Sequence, residues 1–398
     1  MTSFRFLRFS AAVLLAAPAV ASPATADTVI PFQEANGTIF IQVAVAGRPL
    51  WFIFDTGDKY AVVDLPLAQS LGLDLGPPLP VGGAGSAPVT GRLVTKGEFQ
   101  VTGLPGFSQP LFIALPLADL SRAEGREVAG LLGQDFIRRF VVDIDYRAHT
   151  LTLHDKATYH YAGAGRALDV TFSAAGLPQA HAQITDAAGQ PVDGLFTIDT
   201  GSTGALIFNT PFVVQSHLLQ PGQATVPLQD GAGIGGGLYG KVGRITALTL
   251  AGIEVRRPYA VFAQSTGGVF ADTATQGNIG SQILRKFKVT LDDDQGRIYL
   301  EPNNAFAAPL DYDMSGLALL ASGADFRTFE ITSVVPGSPA AAAELVAGDR
   351  LTEIDDRPAR DYSLSDLRDI FRRPGDVNVT VERNGATRKT LLTLRPAF

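Results

Sequence analysis

The 398-residue chain contains no cysteine. That excludes a disulfide framework, a cysteine-ligated zinc site, a cysteine nucleophile and lipid attachment at an N-terminal cysteine. Gly-x-Ser-x-Gly is also missing, so a serine-hydrolase elbow has no support. No apolar run reaches the roughly 20 residues that a spanning helix requires, so no stable membrane anchor is expected. Basic residues are in deficit, with 32 Lys and Arg against 39 Asp and Glu and a formal net charge of −7. Nucleic acid is therefore a poor candidate partner, because that affinity rests on phosphate neutralisation. His154 and His160 flank Asp155, but the spacing fits no common zinc pattern; both read as surface residues, and no metal or cofactor is expected.

Gly231-x-Gly233-x-x-Gly236 matches a dinucleotide fingerprint, and Gly235-x4-Gly240-Lys241 nearly matches a P-loop. Neither sits in a βαβ unit, and Val242 stands where a P-loop needs a magnesium-binding hydroxyl. At the N-terminus, Arg5 and Arg8 precede the apolar stretch Ala11–Ala17, and Ala19-Val-Ala21 or Ala24-Thr-Ala26 offers a small-residue cleavage site. Residues 1–26 read as an export signal, with Pro18 interrupting the apolar run. Its removal would take two arginines and no acid, changing the charge from −7 to −9. Usage rich in Ala, Gly and Arg suggests a bacterial protein, periplasmic or secreted. The 42 Gly, 25 Pro and short β-branched runs point to a mainly β body.

Within that body one tripeptide occurs twice in matching surroundings. Trp51-Phe-Ile-Phe leads into Asp55-Thr56-Gly57-Asp58, and Leu195-Phe-Thr-Ile into Asp199-Thr200-Gly201-Ser202. A second landmark recurs as well: Gly130-Leu-Leu-Gly133 and Gly277-Asn-Ile-Gly280, each followed by an Arg-Arg-Phe or Arg-Lys-Phe sequence. The offsets are 199 − 55 = 144 and 277 − 130 = 147 residues, too long for a solenoid and right for two domain-sized lobes. Asp-Thr-Gly alone is good turn material. Paired, it offers two carboxylates that cannot both ionise when close together, so they share a proton. One can then take a proton from water while the other polarises a carbonyl, which is peptide hydrolysis with neither metal nor covalent intermediate.

On these motifs, residues 28 to 305 resemble a retropepsin-type aspartic protease duplicated into a two-lobed, pepsin-like chain. The resemblance implies two tandem retropepsin-like β-barrel lobes with the active site between them. Residues 27–161 would form lobe one and residues 162–304 lobe two, with Ala162–Gly165 as a hinge. It implies Asp55 and Asp199 as the catalytic dyad. Thr56 and Thr200 would lock the two loops together, and Gly57 and Gly201 would permit close approach. The glycine-rich stretches Val81–Ser86 and Gly231–Gly237 stand where that family has substrate-covering flaps. Neither carries the pepsin flap tyrosine at an obvious place, although Tyr239 is near. Asp58 departs from the Ser, Thr or Ala usual after Asp-Thr-Gly, whereas Ser202 obeys. Its carboxylate either faces the dyad or is solvated or ion-paired.

Residues 305–398 resemble a small α+β PDZ domain in the permuted order of exported bacterial proteases. Ser338 and Pro339 start a helix expected over Ala340–Val346. Ser363 and Asp366 form a capping box, and two alternating strands follow. Glu344 stands where that family usually has glycine. Gly316, Leu317, Ala318 and Leu319 are the candidate peptide-binding segment, and a C-terminal peptide is the candidate ligand. The preferred reading is an exported aspartic endopeptidase that acts on peptide or protein substrates. A catalytically silent peptide-binding relative is the alternative. A third arrangement pairs each lobe with a second copy, but tandem lobes favour an internal site through effective concentration.

Overall fold

The computed structural model describes residues 27–398 except Ala84, Ser86, Pro88, Phe112 and Ala232. The export-signal reading of residues 1–26 lies outside the described residues. The body is mostly β, as its composition implies, and the two repeated sequences build the same local topology.

In lobe one, the apolar run before Asp55 forms the strand Arg48–Phe54, which pairs antiparallel with Thr38–Val45. Phe52, Ile53 and Phe54 are all buried. A continuous apolar run suits a strand covered on both faces, and this one is flanked by a third strand. That strand, Gly130–Leu132, inserts parallel to Arg48–Phe54 and antiparallel to Val62–Asp64, placing Leu131 beside Ile53 and Val62. Lobe two repeats the pattern: Gly277–Ile279 lies parallel to Pro191–Ile198 and antiparallel to Leu206–Phe208, with Asn278 beside Thr197 and Ile207. Each Asp-Thr-Gly therefore sits in a loop pinned from behind by an inserted strand.

The lobes also share a sheet. Thr28–Pro31, Thr150–His154 and Val141–Asp145 continue directly into Phe287–Asp292, Arg297–Pro302 and Arg166–Phe172. At its centre Val142 pairs with Leu291, Asp143 with Thr290 and Ile144 with Val289. Shifting by the repeat offset of 147 exchanges the first and third pairs and maps the middle pair onto itself. Asp143 and Thr290 thus lie on the pseudo-two-fold axis, where the Thr290 hydroxyl donates to Asp143 Oδ1 at 2.6 Å. His154 is a correction to the sequence reading. It is buried beside this axis, with Nδ1 2.9 Å from Asp27 Oδ1 and its ring against Tyr159; only His160 is exposed. Alternation puts His154 on the face of Thr150 and Thr152, and it is buried there because Asp27, Asp143 and Tyr159 cover it, which no local pattern around a single histidine reveals. The connection between the lobes is held too, because Tyr161 stacks on Tyr299 at 3.8 Å and its hydroxyl accepts the Gly165 N–H at 2.7 Å.

The PDZ segment has its own sheet, Leu317–Ser322, Thr328–Val334, Arg350–Ile354, Gly375–Arg383 and Ala386–Leu394 in spatial order. It also has its own core around Phe329, Ile331, Leu351, Leu364, Phe371 and Val379. Ser338 caps the first helix with Pro339 next, but the helix ends at Ala342, one turn short of the expected Val346. Glu344 explains this. It adopts φ +57°, and the Leu345 and Glu344 N–H groups return to the Ala340 and Ala341 carbonyls. That is the C-terminal closure for which glycine is the low-cost residue. Here the Glu344 carboxylate pairs with Arg388 instead. The second helix, Leu364–Phe371, carries the full capping box between Ser363 and Asp366.

This segment is packed onto both lobes. Helix Ala118–Glu124 of lobe one lies against Leu317–Ser322, with Arg122 3.7 Å from Glu330. The Asn36 N–H donates to Ser365 Oγ at 3.1 Å, and Arg244 of lobe two donates to the Leu310 carbonyl at 3.0 Å. Glu124 is buried in this junction, and burial pushes its carboxyl up to about 7 despite the nearby Arg368 and Arg126. The folded chain keeps a proton that the unfolded chain releases around its ordinary value of 4.5. Stability should therefore fall as pH rises from the unfolded value to the folded one, and level off above it. Glu124→Gln should remove that dependence and stabilise the protein at pH 8 by on the order of 2 kcal/mol. Denaturant unfolding at pH 5 and pH 8 checks this; an unchanged pH dependence in the variant contradicts it.

Candidate active site

Both Asp-Thr-Gly segments form the same side-chain-closed turn. Asp55 Oδ1 accepts the Gly57 N–H at 2.7 Å. Asp199 Oδ1 accepts the N–H groups of Gly201 at 3.0 Å and Ser202 at 2.9 Å. The two threonines then cross between lobes. The Thr56 N–H donates to Thr200 Oγ1 at 3.0 Å, and the Thr200 N–H donates to Thr56 Oγ1 at 2.9 Å. Each hydroxyl passes its own proton onward, Thr56 to the Ile198 carbonyl at 2.6 Å and Thr200 to the Phe54 carbonyl at 2.9 Å. Both threonines are buried, so these four bonds fix one loop against the other.

That lock brings each carboxylate onto the opposite loop's glycine. A Cβ added at Gly57 would lie 2.6 Å from Asp199 Cγ, and one at Gly201 would lie 2.3 Å from Asp55 Cγ. Only glycine fits at either place, and the two carboxylates face each other within one chain. Residues 41–136 match the aspartyl protease family. The matched stretch contains Asp55 and the Leu131–Gly133 segment, and the internal repeat supplies the second copy around Asp199. Residues 330–383 match the PDZ domain. The chain thus carries an aspartyl protease domain and a PDZ domain.

Among solved structures, the chain is similar to the photosystem II D1 C-terminal processing protease, 27% identical with a TM-score of 0.19. That likeness covers 21% of this chain and 23% of that one, so the chain spans under a quarter of that relative's length. It is also similar to basic 7S globulin from soybean, 11% identical over 70% of this chain and 95% of that one, with a TM-score of 0.41. No curated protein matches the chain.

The dyad's electrostatics are unequal. Burial holds the Asp55 carboxyl well above the usual carboxylate range, and the charges of Asp199 and Asp58 push it further. Burial also raises Asp199, but the Ser202 and Gly201 N–H groups, Asp55 and the Asn278 amide oppose the rise. Asp58 is partly buried and lies on the dyad side. Burial pushes its carboxyl to about 6 against the Tyr60 and Lys59 N–H groups, with Asp135 and Asp199 adding repulsion. Its Oδ1 accepts the Tyr60 N–H at 3.5 Å, and its charge is coupled to both dyad aspartates.

Two hairpins rather than one reach over the cleft. The strands Asp74–Val81 and Val89–Lys96 form the first, and Thr225–Gly231 and Leu238–Arg244 the second. Their tips join: the Gly85 N–H donates to the Ile234 carbonyl at 2.9 Å and the Ala87 N–H to the Gly235 carbonyl at 3.0 Å. A Cβ at Gly85 would lie 2.0 Å from the Gly235 oxygen, so the tips need their glycines. The nucleotide-like Gly231–Gly236 pattern is this hairpin tip. Ile234 packs against the lobe-one cluster that contains Phe40, Ile53, Val62 and Leu131, and Tyr239 is exposed.

The PDZ candidates separate. Gly316, Leu317 and Ala318 line a cavity of about 230 Å³ together with Val335–Pro339, Arg395–Ala397 and two residues of the second flap strand, Val226 and Pro227. Leu319 does not line it; a register shift between Ala318 and Leu319 accompanies its burial in the PDZ core. The Gly316 N–H donates to the Asp313 carboxylate at 2.6 Å and the Leu317 N–H to Ser315 Oγ at 3.0 Å. The chain's own oxygens already occupy these two donors.

Three further residues at the site escape the motif reading. Gln134 donates from Nε2 to the Thr56 carbonyl at 2.9 Å, bracing the loop from behind. Ile234 bridges the flap tip to lobe one. Asn278 donates from Nδ2 to Asp199 Oδ2 at 2.6 Å. Its only sequence signal is a polar residue at a position where the first repeat has leucine.

Proposed function

We propose that the protein is an exported aspartic endopeptidase whose site is the Asp55–Asp199 dyad within a single chain. The observation that carries this reading is the reciprocal seating of each carboxylate on the opposite loop's glycine, locked by the crossed threonines. With one carboxyl ionised and one protonated, a water held between them attacks the peptide carbon. The ionised carboxylate takes the water proton, and the protonated partner gives its proton to the carbonyl oxygen. The resulting gem-diol collapses as the C–N bond breaks. The amine then receives the proton taken from water, and a diol hydroxyl returns its proton to the other carboxylate. The dyad ends as it began.

The joined flaps would part to admit an extended chain and close again to exclude water, which strengthens every charge interaction in the cleft. The cavity beside Gly316 would hold a peptide segment of the substrate or another protein. Export rests on the N-terminal sequence pattern. Single-site Asn substitutions in the dyad, assayed on an unstructured protein, test the reading.

Asp58 gives this enzyme a distinctive pH dependence. Its carboxylate adds repulsion to Asp55 and so helps the dyad hold its proton. Asp58→Ser, which copies Ser202, should shift the alkaline limb of the pH–rate profile toward acid by about one unit. The limb belongs to the coupled carboxylates rather than to one residue. A pH–rate series at fixed ionic strength decides, and an unmoved limb or a shift toward alkali rejects this role.

A further inference from the structure

The two halves of the site differ at one matched position. Leu131 in lobe one and Asn278 in lobe two occupy the same place in the inserted strands, 278 − 131 = 147 residues apart. Leu131 is buried among Phe40, Ile53 and Val62 and offers the dyad no polar atom. Asn278 instead places Nδ2 2.6 Å from Asp199 Oδ2. Asp199 thus receives three N–H donors, two from the backbone on Oδ1 and one amide on Oδ2. The N–H donor seated on Asp55 is that of Gly57. Donors of this kind favour the ionised form of a carboxylate and do nothing for a protonated one. The charge acting on the pair from lobe one's loop is Asp58, which in turn feels Asp135 of the helix Gln134–Ile137. The Asp58 charge raises Asp55 and is itself coupled to Asp199, so it adds repulsion to the pair, while the difference between the two halves lies in their N–H donors.

We propose that Asn278 is a positioning residue that makes Asp199 the base accepting the water proton and leaves Asp55 as the donor to the carbonyl oxygen. This rests on the dyad reading above. The repeat is structurally two-fold, but the chemistry it supports is directional, and one strand residue sets the direction.

The test is a carboxyl-carbon NMR titration of the full chain carrying ¹³C-labelled aspartate, with signals assigned by loss in Asp55→Asn and Asp199→Asn. It is run beside pH–rate profiles for wild type, Asn278→Leu and Asn278→Ala. Leucine copies lobe one, and alanine provides a smaller side chain if leucine disturbs folding. In wild type, the first ionisation of the pair should appear chiefly at Asp199. Both variants should raise that first ionisation by roughly one pH unit. The acid limb of kcat/KM should move toward neutrality by the same amount, with the alkaline limb less affected. An unmoved first ionisation, with kcat/KM lowered equally at every pH, would mean that Asn278 only fills space and would overturn the proposal. First ionisation at Asp55 in wild type would overturn it as well. A titration that moves as expected in a chain that cleaves nothing at any pH would sink the peptidase reading, and with it the two catalytic roles, while leaving Asn278 as the residue that directs the first ionisation to Asp199.

Discussion

Asn at either position 55 or 199 should lower kcat/KM on a peptide substrate by about 10³-fold or more, and the double variant should be scarcely worse than either single one. The two carboxylates share one proton and one water, so removing either abolishes the cycle that the other needs. Asn keeps the shape and the turn: its side-chain oxygen can still accept the Gly57 N–H in lobe one or the Gly201 and Ser202 N–H groups in lobe two. The loss should therefore fall on kcat while folding is retained, as near-ultraviolet circular dichroism would check. Independent losses that multiply in the double variant would show that the carboxylates do not act as a unit.

The second large effect concerns the lock. Thr56→Val preserves the side chain's volume but removes the hydroxyl that accepts the Thr200 N–H and donates to the Ile198 carbonyl. Both partners are left in a buried junction without a bond, at a cost of roughly 1–3 kcal/mol for each unsatisfied group. Thr200→Val should do the same to the Thr56 N–H and the Phe54 carbonyl. Each single variant should thus lose about 3 kcal/mol, and the double variant less than the sum, because the first substitution already loosens the loops that the second would release. Activity should drop further than stability alone explains, since dyad geometry depends on the same bonds. Denaturant unfolding of the two singles and the double completes the cycle; strictly additive losses would show that the two bonds support their own lobes separately.

Much of this architecture is legible before any coordinates, for a physical reason. An apolar run, a three-residue turn and an inserted apolar-Gly strand are each local patterns, and their duplication at offsets of 144 and 147 residues shows that the patterns belong together. The Ser363–Asp366 capping box is legible for the same reason, since all its partners lie within four residues. What escapes the sequence is whatever depends on direction across a long separation. Asn278 reads as a flaw in an apolar segment until its amide is seen on Asp199, 79 residues away. His154 reads as a surface residue until the shared sheet turns it toward Asp27 and the axis. The joining of the flaps links Gly85 to Ile234, which no local period could signal. Glu344 shows a different limit. Its departure from glycine is visible in the sequence, but the left-handed backbone that shortens the helix is not. The PDZ loop adds a third kind, because Asp313 is close in sequence yet only the folded loop aims its carboxylate at the Gly316 N–H.

The most direct measurement on the central claim is hydrolysis of an unstructured protein by the full chain from pH 3 to 8, with Asp199→Asn alongside and new amino termini quantified. The account predicts cleavage by wild type within a bell-shaped pH range and cleavage lower by about 10³-fold or more in the variant at every pH. Cleavage that persists undiminished in Asp199→Asn, or a wild type that yields no new termini anywhere in that range, would contradict it.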